Sequence, residues 1–309
     1  MVSSHKIEIS ALTSGQPAYP QRLAQLMTPP PQLYALGDAD LNAKYIVAIV
    51  GTRSATAYAR QVINNIVDGL HRRLPDGLLI VSGMALGCDI MAHRRAVDDG
   101  VPTVGVLAHG LDHIYPAVHR QFASKLVSEG RGMLLTQYPE GSRIHKNNFL
   151  SRNEIVAGMS DCVIVAESAA DHGGALYTAR WAKRAGRTVF AVPGRATDKY
   201  SGGCNMLIRT GAALLAETAD DIVDAMGWEA DQLRLFNDTP RPAAPQRPSL
   251  SPENKRITDY LTANPESSSD LISRALNIPL WELIGMLTEL EMSGYVISRP
   301  GNRFMCVSR

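Results

Sequence analysis

The apolar positions between residues 45 and 228 fall in short runs that end in glycine or other small residues, and a helical stretch follows each run. Such runs are typical of strands buried on both faces of a sheet. The predicted strands are Ile46–Val50, Leu78–Val81, Thr103–Leu107, Gly132–Leu135, Asp161–Val165 and Thr188–Val192. The predicted helices are Tyr58–Leu74, Cys88–Asp99, His119–Glu129, Ser151–Met159 and Ala175–Ala185. Their alternation predicts an α/β domain over residues 45–230 with a parallel, doubly wound sheet.

Other segments flank this domain. Residues 1–44 form a lead-in that we expect to lie over the main domain. Residues 231–252 are rich in proline and poor in large apolar residues, which predicts an extended linker. Residues 253–309 form a small second domain, in which the pattern predicts three helices and a hairpin, the order of a winged helix-turn-helix. These elements are Glu253–Ala263, Ser268–Leu276, Pro279–Ser293 and a hairpin over Tyr295–Val307 that turns at Pro300-Gly301-Asn302.

Composition narrows the function. The 309 residues are 45% hydrophobic and 20% charged, an ordinary globular mix. With 31 Lys and Arg against 30 Asp and Glu, bulk charge does not attract polyanions, so any anion site must be local. The four cysteines lack the spacing of a zinc site, and we expect neither a metal nor a cofactor. Because no signal peptide or long apolar helix is apparent, we expect a soluble, cytoplasmic protein without membrane insertion.

Candidate binding residues follow the predicted strands. The first strand is followed by Gly51-Thr52-Arg53. Glycine lets the backbone approach an anion closely, and the hydroxyl and the guanidinium can hold phosphate oxygens by hydrogen bonds. Alternatively, Arg53 forms a salt bridge with a neighbouring loop. Ser82-Gly83 after the second strand and Gly173-Gly174 before a later helix form similar turns. Asp89 and His93 share one helix face, where they could form a metal site or an acid/base pair. The favoured interpretation is structural: Asp89 caps the start of the helix and His93 is a hydrogen-bonded core residue.

The segment from Arg143 to Arg152 is basic in an otherwise neutral chain. Its cations surround an aromatic ring, Phe149, and these are the ingredients for holding single-stranded nucleic acid. The alternative is a solvated loop that Phe149 anchors to the core.

The order of motifs carries more information than any one of them. The order includes Gly51-Thr52-Arg53, Ser82-Gly83-x-x-x-Gly87-x-Asp89, Gly110-Leu111-Asp112-x-x-Tyr115-Pro116, Asn148-Phe149-x-x-Arg152-Asn153 and Gly203-x-Asn205-x-Leu207-Ile208. This series, from about Tyr19 to about Trp228, closely resembles the DNA-processing protein A (DprA/Smf) family.

The resemblance implies an extended Rossmann-like domain that binds single-stranded DNA, forms a homodimer and loads the recombinase RecA during natural transformation, with no established catalytic activity. It implies that Arg53 holds a phosphate, with Ser82 and Gly83 contributing hydrogen bonds nearby. It also implies that the opposite wall acts by charge and stacking and consists of Lys146, Phe149, Arg152 and Asn153. Asn148, Gly173 and Gly174 complete the expected site. His172-Gly173-Gly174 stands where relatives commonly carry hydroxyl side chains, which predicts one weaker phosphate contact.

The predicted winged helix has an unusual charge for a DNA-binding unit. Its recognition helix carries Glu282, Glu289 and Glu291 and no Lys or Arg. Acidic side chains repel phosphates, so a protein contact is favoured over DNA contact through Arg299 and Arg303.

The main hypothesis is therefore a non-enzymatic, single-stranded DNA-binding protein. The alternatives are a nucleoside-monophosphate-processing enzyme of related fold and a nucleotide-sensing module whose winged-helix unit signals to a partner.

Overall fold

The structure is a computed structural model that describes residues 8–170, 173–228, 251–292, 295–299 and 303–306. The chain divides into two compact units, Met1–Leu233 and Arg234–Arg309. Of the predicted linker, residues 231–250 lie outside the described residues.

The first unit is built on a nine-stranded sheet. Its strands are β1 (Ser10–Thr13), β2 (Gln32–Gly37), β3 (Tyr45–Val50), β4 (Leu78–Ser82), β5 (Thr103–Val106), β6 (Gly132–Thr136), β7 (Cys162–Val165), β8 (Thr188–Ala191) and β9 (Leu214–Leu215). Their order across the sheet is β1-β2-β6-β5-β4-β3-β7-β8-β9. All neighbours from β6 to β9 pair in parallel, whereas β1 and β2 are antiparallel. The predicted fold class, a mostly parallel doubly wound sheet, is confirmed.

Eight α-helices of this unit belong to the described residues, together with one 3₁₀ turn at Ala117–His119. They are α1 (Gln21–Ala24), α2 (Ala57–Arg73), α3 (Cys88–Asp98), α4 (Arg120–Ser128), α5 (Lys146–Gly158), α6 (Gly174–Arg184), α7 (Gly202–Arg209) and α8 (Ala219–Met226). Residues from α2, α3 and α8 pack on one face of the sheet and residues from α5, α6 and α7 on the other.

The central strand explains why the sequence forms a two-sided sheet. All six residues of β3 are buried, and they alternate between the two hydrophobic clusters. Ile46, Ala48 and Val50 face one cluster and the intervening residues face the other, as the period of two in a strand requires. An uninterrupted apolar run is therefore the signature of a strand covered on both faces.

Two expectations about this unit were wrong in detail. The lead-in lies over the domain only in part, because β2 pairs antiparallel with β6 and β1 with β2, so that both strands extend the sheet. Between them, Tyr19 and Leu23 pack in the hydrophobic cluster on one face of the sheet. The fourth large helix begins at Lys146, five residues before the predicted start at Ser151. The polar residues Asn147 and Asn148 do not favour a helix, but the contacts described below fix them in its first turn.

The second unit has the order of a winged helix, as predicted. Within the described residues it contains α9 (Pro252–Ala263), β10 (Ser267–Ser268), α10 (Ser269–Leu276), α11 (Leu280–Met292), β11 (Val296–Arg299) and β12 (Arg303–Cys306). The antiparallel order β10-β12-β11 packs with the helices around a core that includes Ile257, Leu283 and Leu287. The predicted turn at 300–302 lies outside the described residues.

Across the part of the chain that the structure describes, no helix combines the length and the apolarity needed to span a bilayer.

Candidate functional site

The candidate site lies at the carboxyl ends of the central strands, where the strand order reverses. Strand β3 has β4 on one side and β7 on the other. The chain runs from β3 to β4 in one direction and from β7 to β8 in the opposite direction, so the loops after β3 and β7 diverge. Open α/β sheets bind ligands in the crevice at such a point.

A cleft of about 270 Å³ occupies this crevice, and we call it the main cleft. Its walls come from the loops after β3, β4 and β7, from one side of α5 and from the first turn of α6. Nine of the twelve predicted site residues line it: Gly51, Thr52, Arg53, Gly83, Phe149, Arg152, Asn153, Gly173 and Gly174. The structure therefore brings together residues separated by more than 100 positions in the sequence.

Arg53 lies on the loop after β3, and Glu167, two residues beyond the end of β7, holds this loop at two points. The backbone N–H of Thr52 donates to the Glu167 carbonyl at 2.8 Å. The Glu167 carboxylate accepts from the backbone N–H of Thr56 at 3.0 Å and from its hydroxyl at 2.5 Å. The Arg53 side chain is exposed and forms no hydrogen bond or ion pair with the described residues. Its Cζ lies 5.4 Å from the Phe149 ring centroid, within cation–π range, so an unpaired cation sits beside an aromatic ring.

Arg152 supplies a second guanidinium, which is buried in the wall with only 4% of its surface exposed. Its Nη1 lies 3.6 Å from Oδ2 of Asp89 and donates to the Val106 carbonyl at 3.4 Å, while Nε has no partner among the described residues. Burial lowers the pKa of Arg152, Asp89 opposes that shift, and the positive charge of Arg53 adds to it. An anion in the main cleft would offset this repulsion between two guanidinium groups.

Gly83 makes room for Arg152. A Cβ at position 83 would overlap Nη1 of that side chain, although the backbone of Gly83 is not in the left-handed region. Gly51 has a comparable role, since a Cβ there would overlap Sγ of Cys88 at the start of α3. These glycines let side chains of other elements approach the floor of the cleft.

Ser82 is placed differently from the prediction. It is fully buried, and its hydroxyl donates to the Ile49 carbonyl at 2.6 Å. The expectation that the Ser82 side chain hydrogen-bonds near a bound phosphate is therefore corrected, because this hydroxyl joins β4 to β3 beneath the site.

The first turn of α6 closes the main cleft. Gly173 is its N-cap, and no side chain caps the amide groups that follow. The first N–H groups of a helix have no intrahelical acceptor and carry partial positive charge, so they favour anions. The side-chain amide of Asn153 donates to the Gly174 carbonyl at 3.3 Å and thereby ties α5 to α6. The predicted effect of His172 falls on a residue outside the described ones.

Phe149 stands between the main cleft and a smaller one, which we call the side cleft. The side cleft is lined by Leu86, Leu107, Ala108, His109, Tyr115 and Pro116, together with residues that also line the main cleft. Tyr115 meets the Phe149 ring edge-on, with centroids 6.1 Å apart. Phe149 is half-buried and belongs to none of the hydrophobic core clusters of the described residues. The ring therefore packs beside Arg53 and Tyr115 and not within a core cluster, which disfavours the alternative of a simple core anchor.

Lys146 and Asn148 are the remaining predicted residues, and neither lines the main cleft. Lys146 is exposed at the start of α5, three residues before Phe149, a spacing that puts both on one helix face. The side-chain amide of Asn148 donates to the carbonyls of Ala108 and Arg143 at 3.1 and 3.3 Å. Asn148 thus fixes the first turn of α5, and with it the position of Phe149.

His93 is a hydrogen-bonded core residue, as the sequence favours, whereas the expectation that Asp89 caps α3 is wrong, since no side chain caps that helix. Asp89 accepts from the Ala85 backbone N–H at 3.3 Å and faces Arg152, and burial raises its pKa against the opposing charge of Arg152. Nδ1 of His93 lies 2.7 Å from the Thr103 hydroxyl, which itself donates to the Ile80 carbonyl, so Nδ1 carries the proton. Burial lowers the pKa of His93 to about 3. No cluster of three His, Cys, Asp or Glu that could hold a metal occurs within the described ranges.

Sequence reasoning missed three residues of this region. Glu167 positions the Arg53 loop, Tyr115 lines the side cleft, and Tyr200 lines the main cleft. Tyr115 belongs to a motif that the sequence does display. Tyr200 lies in a polar turn with no distinguishing pattern, so its place at the cleft depends on tertiary folding alone.

Fold and site together define a class: a Rossmann-like α/β protein with a cationic, aromatic cleft at its strand switch point and a separate winged-helix unit. The model of the family described as DNA recombination-mediator protein A matches residues 10–227, and that of the DprA winged helix domain matches residues 241–302. The chain belongs to the DNA recombination-mediator protein A family, as the sequence motifs indicate.

Comparisons with individual relatives support the same family assignment. The DNA processing protein DprA of Bacillus subtilis is 37% identical over 219 residues, which cover 71% of each chain. The X-ray structure of DNA processing protein A from Streptococcus pneumoniae is similar with a TM-score of 0.65 and 32% identity, over 71% of this chain and 74% of that one. The Helicobacter pylori DNA processing protein A, whose structure was solved to describe its single-stranded DNA binding mode, has a TM-score of 0.62 and 30% identity, over 72% of this chain and 98% of that one.

Proposed function

We propose that this protein binds single-stranded DNA across the main cleft, with phosphates held by charge and unpaired bases held by stacking. The observation that carries the proposal is the pairing of Arg53 with Phe149 at 5.4 Å on the rim of that cleft. Cations that follow a phosphate backbone, beside an aromatic platform, are the common means of binding single strands without reading their sequence.

The phosphate part of the proposal uses three sources of positive potential. Arg53 is exposed and unpaired among the described residues, Arg152 has an unpartnered Nε, and the amides of α6 open onto the same cleft. Only one carboxylate, that of Asp89, belongs to the described lining, and it faces Arg152. The local charge therefore favours a polyanion although the whole chain is nearly neutral.

The base part explains the preference for a single strand. Phe149 offers its ring between two clefts, so a base must leave a duplex stack to reach it. A base in a single strand is already unpaired, so no free energy is spent on breaking base pairs before it reaches the ring. The Helicobacter pylori relative, whose structure concerns single-stranded DNA binding, supports the same choice of ligand.

Substitution of Arg53 tests the proposal. We expect Arg53→Ala to weaken binding of fluorescein-labelled oligonucleotides of different sequence alike, and to reduce the slope of log K against log salt by about 0.7 for the lost phosphate contact. The matched control is Arg72→Ala, which removes an exposed arginine from the last turn of α2, at the other end of that helix. Equal affinity of wild type and Arg53→Ala would remove Arg53 from the site.

We further propose that the bound strand is passed to the recombinase RecA during natural transformation, without chemical change to the DNA. The carboxylates nearest the cleft support a role in binding, since Asp89 faces Arg152 and Glu167 is engaged by Thr56. RecA filament formation on single-stranded DNA should accelerate in the presence of the protein. Release of free base from nucleoside monophosphates would instead favour the alternative of an enzyme.

A homodimer is part of the proposal, and the sheet edge at β9 is the surface that supports it. Leu214 and Leu215 form this short edge strand and are 50% and 45% exposed. An exposed apolar edge strand is a template for pairing with another chain, here a second copy. Leu214→Glu should shift the mass measured by analytical ultracentrifugation from dimer to monomer; an unchanged mass would place the contact elsewhere.

For the winged-helix unit we propose a protein contact. Its helix α11 exposes Leu280, Trp281 and Ile284, with Trp281 78% exposed, and carries the acidic Glu282 between them. An apolar, acidic surface suits a protein better than phosphates. Deleting residues 251–309 should therefore leave the affinity for single strands unchanged, and a large loss would favour DNA contact by this unit.

A further inference from the structure

Tyr200 lines the main cleft but has no part in the function argued so far. It is half-buried, and the ammonium of Lys199 lies over its ring at 5.3 Å from the centroid. A tyrosine ring on the wall of a cleft offers a large stacking surface with few rotatable bonds.

The backbone around Tyr200 is held rigidly against the loop after β7. The N–H of Ser168 donates to the Tyr200 carbonyl at 2.7 Å, and the N–H of Gly203 donates to the Ser168 carbonyl at 2.8 Å. A Cβ on Gly203 would stand 2.5 Å from the Ala169 carbonyl oxygen, so glycine permits this close approach. The backbone of Tyr200 is therefore held at the wall of the main cleft by hydrogen bonds within the protein.

Tyr200 and Phe149 lie toward different sides of the main cleft. Phe149 also lines the side cleft, whose other walls follow β4 and β5, whereas Tyr200 is held by the loop after β7. In the sheet, β3 separates β4 from β7, a span of two strand spacings or roughly 10 Å. Phe149 thus lines the main cleft toward the β4 side and Tyr200 toward the β7 side.

We propose that Tyr200, with Lys199 beside it, is a second base-stacking platform, so that the main cleft holds backbone phosphate between two unpaired bases. This inference rests on the proposed binding of single-stranded DNA and adds a specific residue and a geometry to it. Stacking on a planar ring accepts any base, so no sequence preference follows.

The test compares two labelled probes by fluorescence anisotropy: a dT20 oligonucleotide and a 20-unit abasic deoxyribose phosphate chain that lacks bases. Tyr200→Ala should weaken binding of dT20 by about 5- to 150-fold, the range expected for one stacked base. It should leave binding of the abasic chain unchanged, since phosphate contacts remain. Tyr200→Phe, which keeps the ring, should bind dT20 like the wild type.

The outcomes separate this inference from the proposed function. If Tyr200→Ala weakens both probes equally, the residue only shapes the cleft and the inference is wrong. An unchanged dT20 affinity would also overturn it, while losses in Arg53→Ala and Phe149→Ala would leave the proposed function standing. If wild-type protein does not bind dT20, the proposed function itself fails.

Discussion

Replacing Gly83 by alanine should destabilise the protein, because the alanine side chain would displace Arg152. The added Cβ would overlap Nη1 of Arg152, which is part of a buried guanidinium and cannot move aside freely. Its displacement would remove the contacts to Asp89 and Val106 and leave a buried carboxylate without its counter-charge. Breaking a buried ion pair by disabling one partner costs about 3–5 kcal/mol, and we expect Gly83→Ala to lower the free energy of unfolding by that amount.

The assay is urea denaturation followed by tryptophan fluorescence. A Trp281→Phe background removes the exposed indole of the winged-helix unit, so that Trp181 and Trp228 report on the unit with the cleft.

A double-mutant cycle tests the mechanism of this loss. In an Arg152→Met background the guanidinium is absent. Adding Gly83→Ala should therefore lower the free energy of unfolding little further than Arg152→Met does alone. The reasoning would be refuted if Gly83→Ala lowered the free energy of unfolding equally in both backgrounds. It would also be refuted if the Gly83→Ala protein were within about 1 kcal/mol of the wild type in stability.

Substitutions at three further positions probe the cleft, the buried histidine and the second unit. Phe149→Ala should weaken single-strand binding by about 1–3 kcal/mol, measured by anisotropy, whereas Phe149→Trp should retain it; equal losses would argue against stacking. The folded-state pKa of His93, about 3, lies below its unfolded value of 6.5, so its contribution to stability is complete above pH 6.5 and is lost as the pH falls toward 3. The free energy of unfolding is lowered by about 2 kcal/mol at pH 5 through this effect. His93→Asn should therefore reduce the slope of the unfolding free energy against pH by an amount equivalent to up to one bound proton. An unchanged slope would contradict this. Trp281→Asp should leave DNA affinity unchanged, and a marked loss would argue against a separate protein-contact surface.

The sequence predicts the fold well because its main strands are continuous apolar runs. Every main strand from β3 to β8 overlaps its predicted range, since burial on both faces leaves few polar residues, such as Ser82 and Thr103, and these stand at strand ends. The lead-in was misjudged because β1 is an edge strand of the sheet and β2 lies next to it. Buried and exposed positions mix in both strands, and long-range pairing decides their structure.

The candidate site was predicted in part, and the misses have physical causes. Arg53 and Phe149 were recognised by their chemistry, and the fold brings them together. Ser82 has suitable chemistry, but its position as the last residue of a buried strand turns its hydroxyl inward. Tyr200 could not be found, because backbone hydrogen bonds to Ser168, distant in sequence, place it.

The central claim is that the cleft at the strand switch point binds unpaired DNA through charge and stacking. The most direct measurement is a fluorescence-anisotropy titration of the full chain with a labelled single strand and with the corresponding duplex, each at low and at moderate salt. The account predicts tighter binding of the single strand at both salt concentrations, and an affinity that falls linearly in log K against log salt. Equal or tighter binding of the duplex, or an affinity that salt does not change, would contradict it.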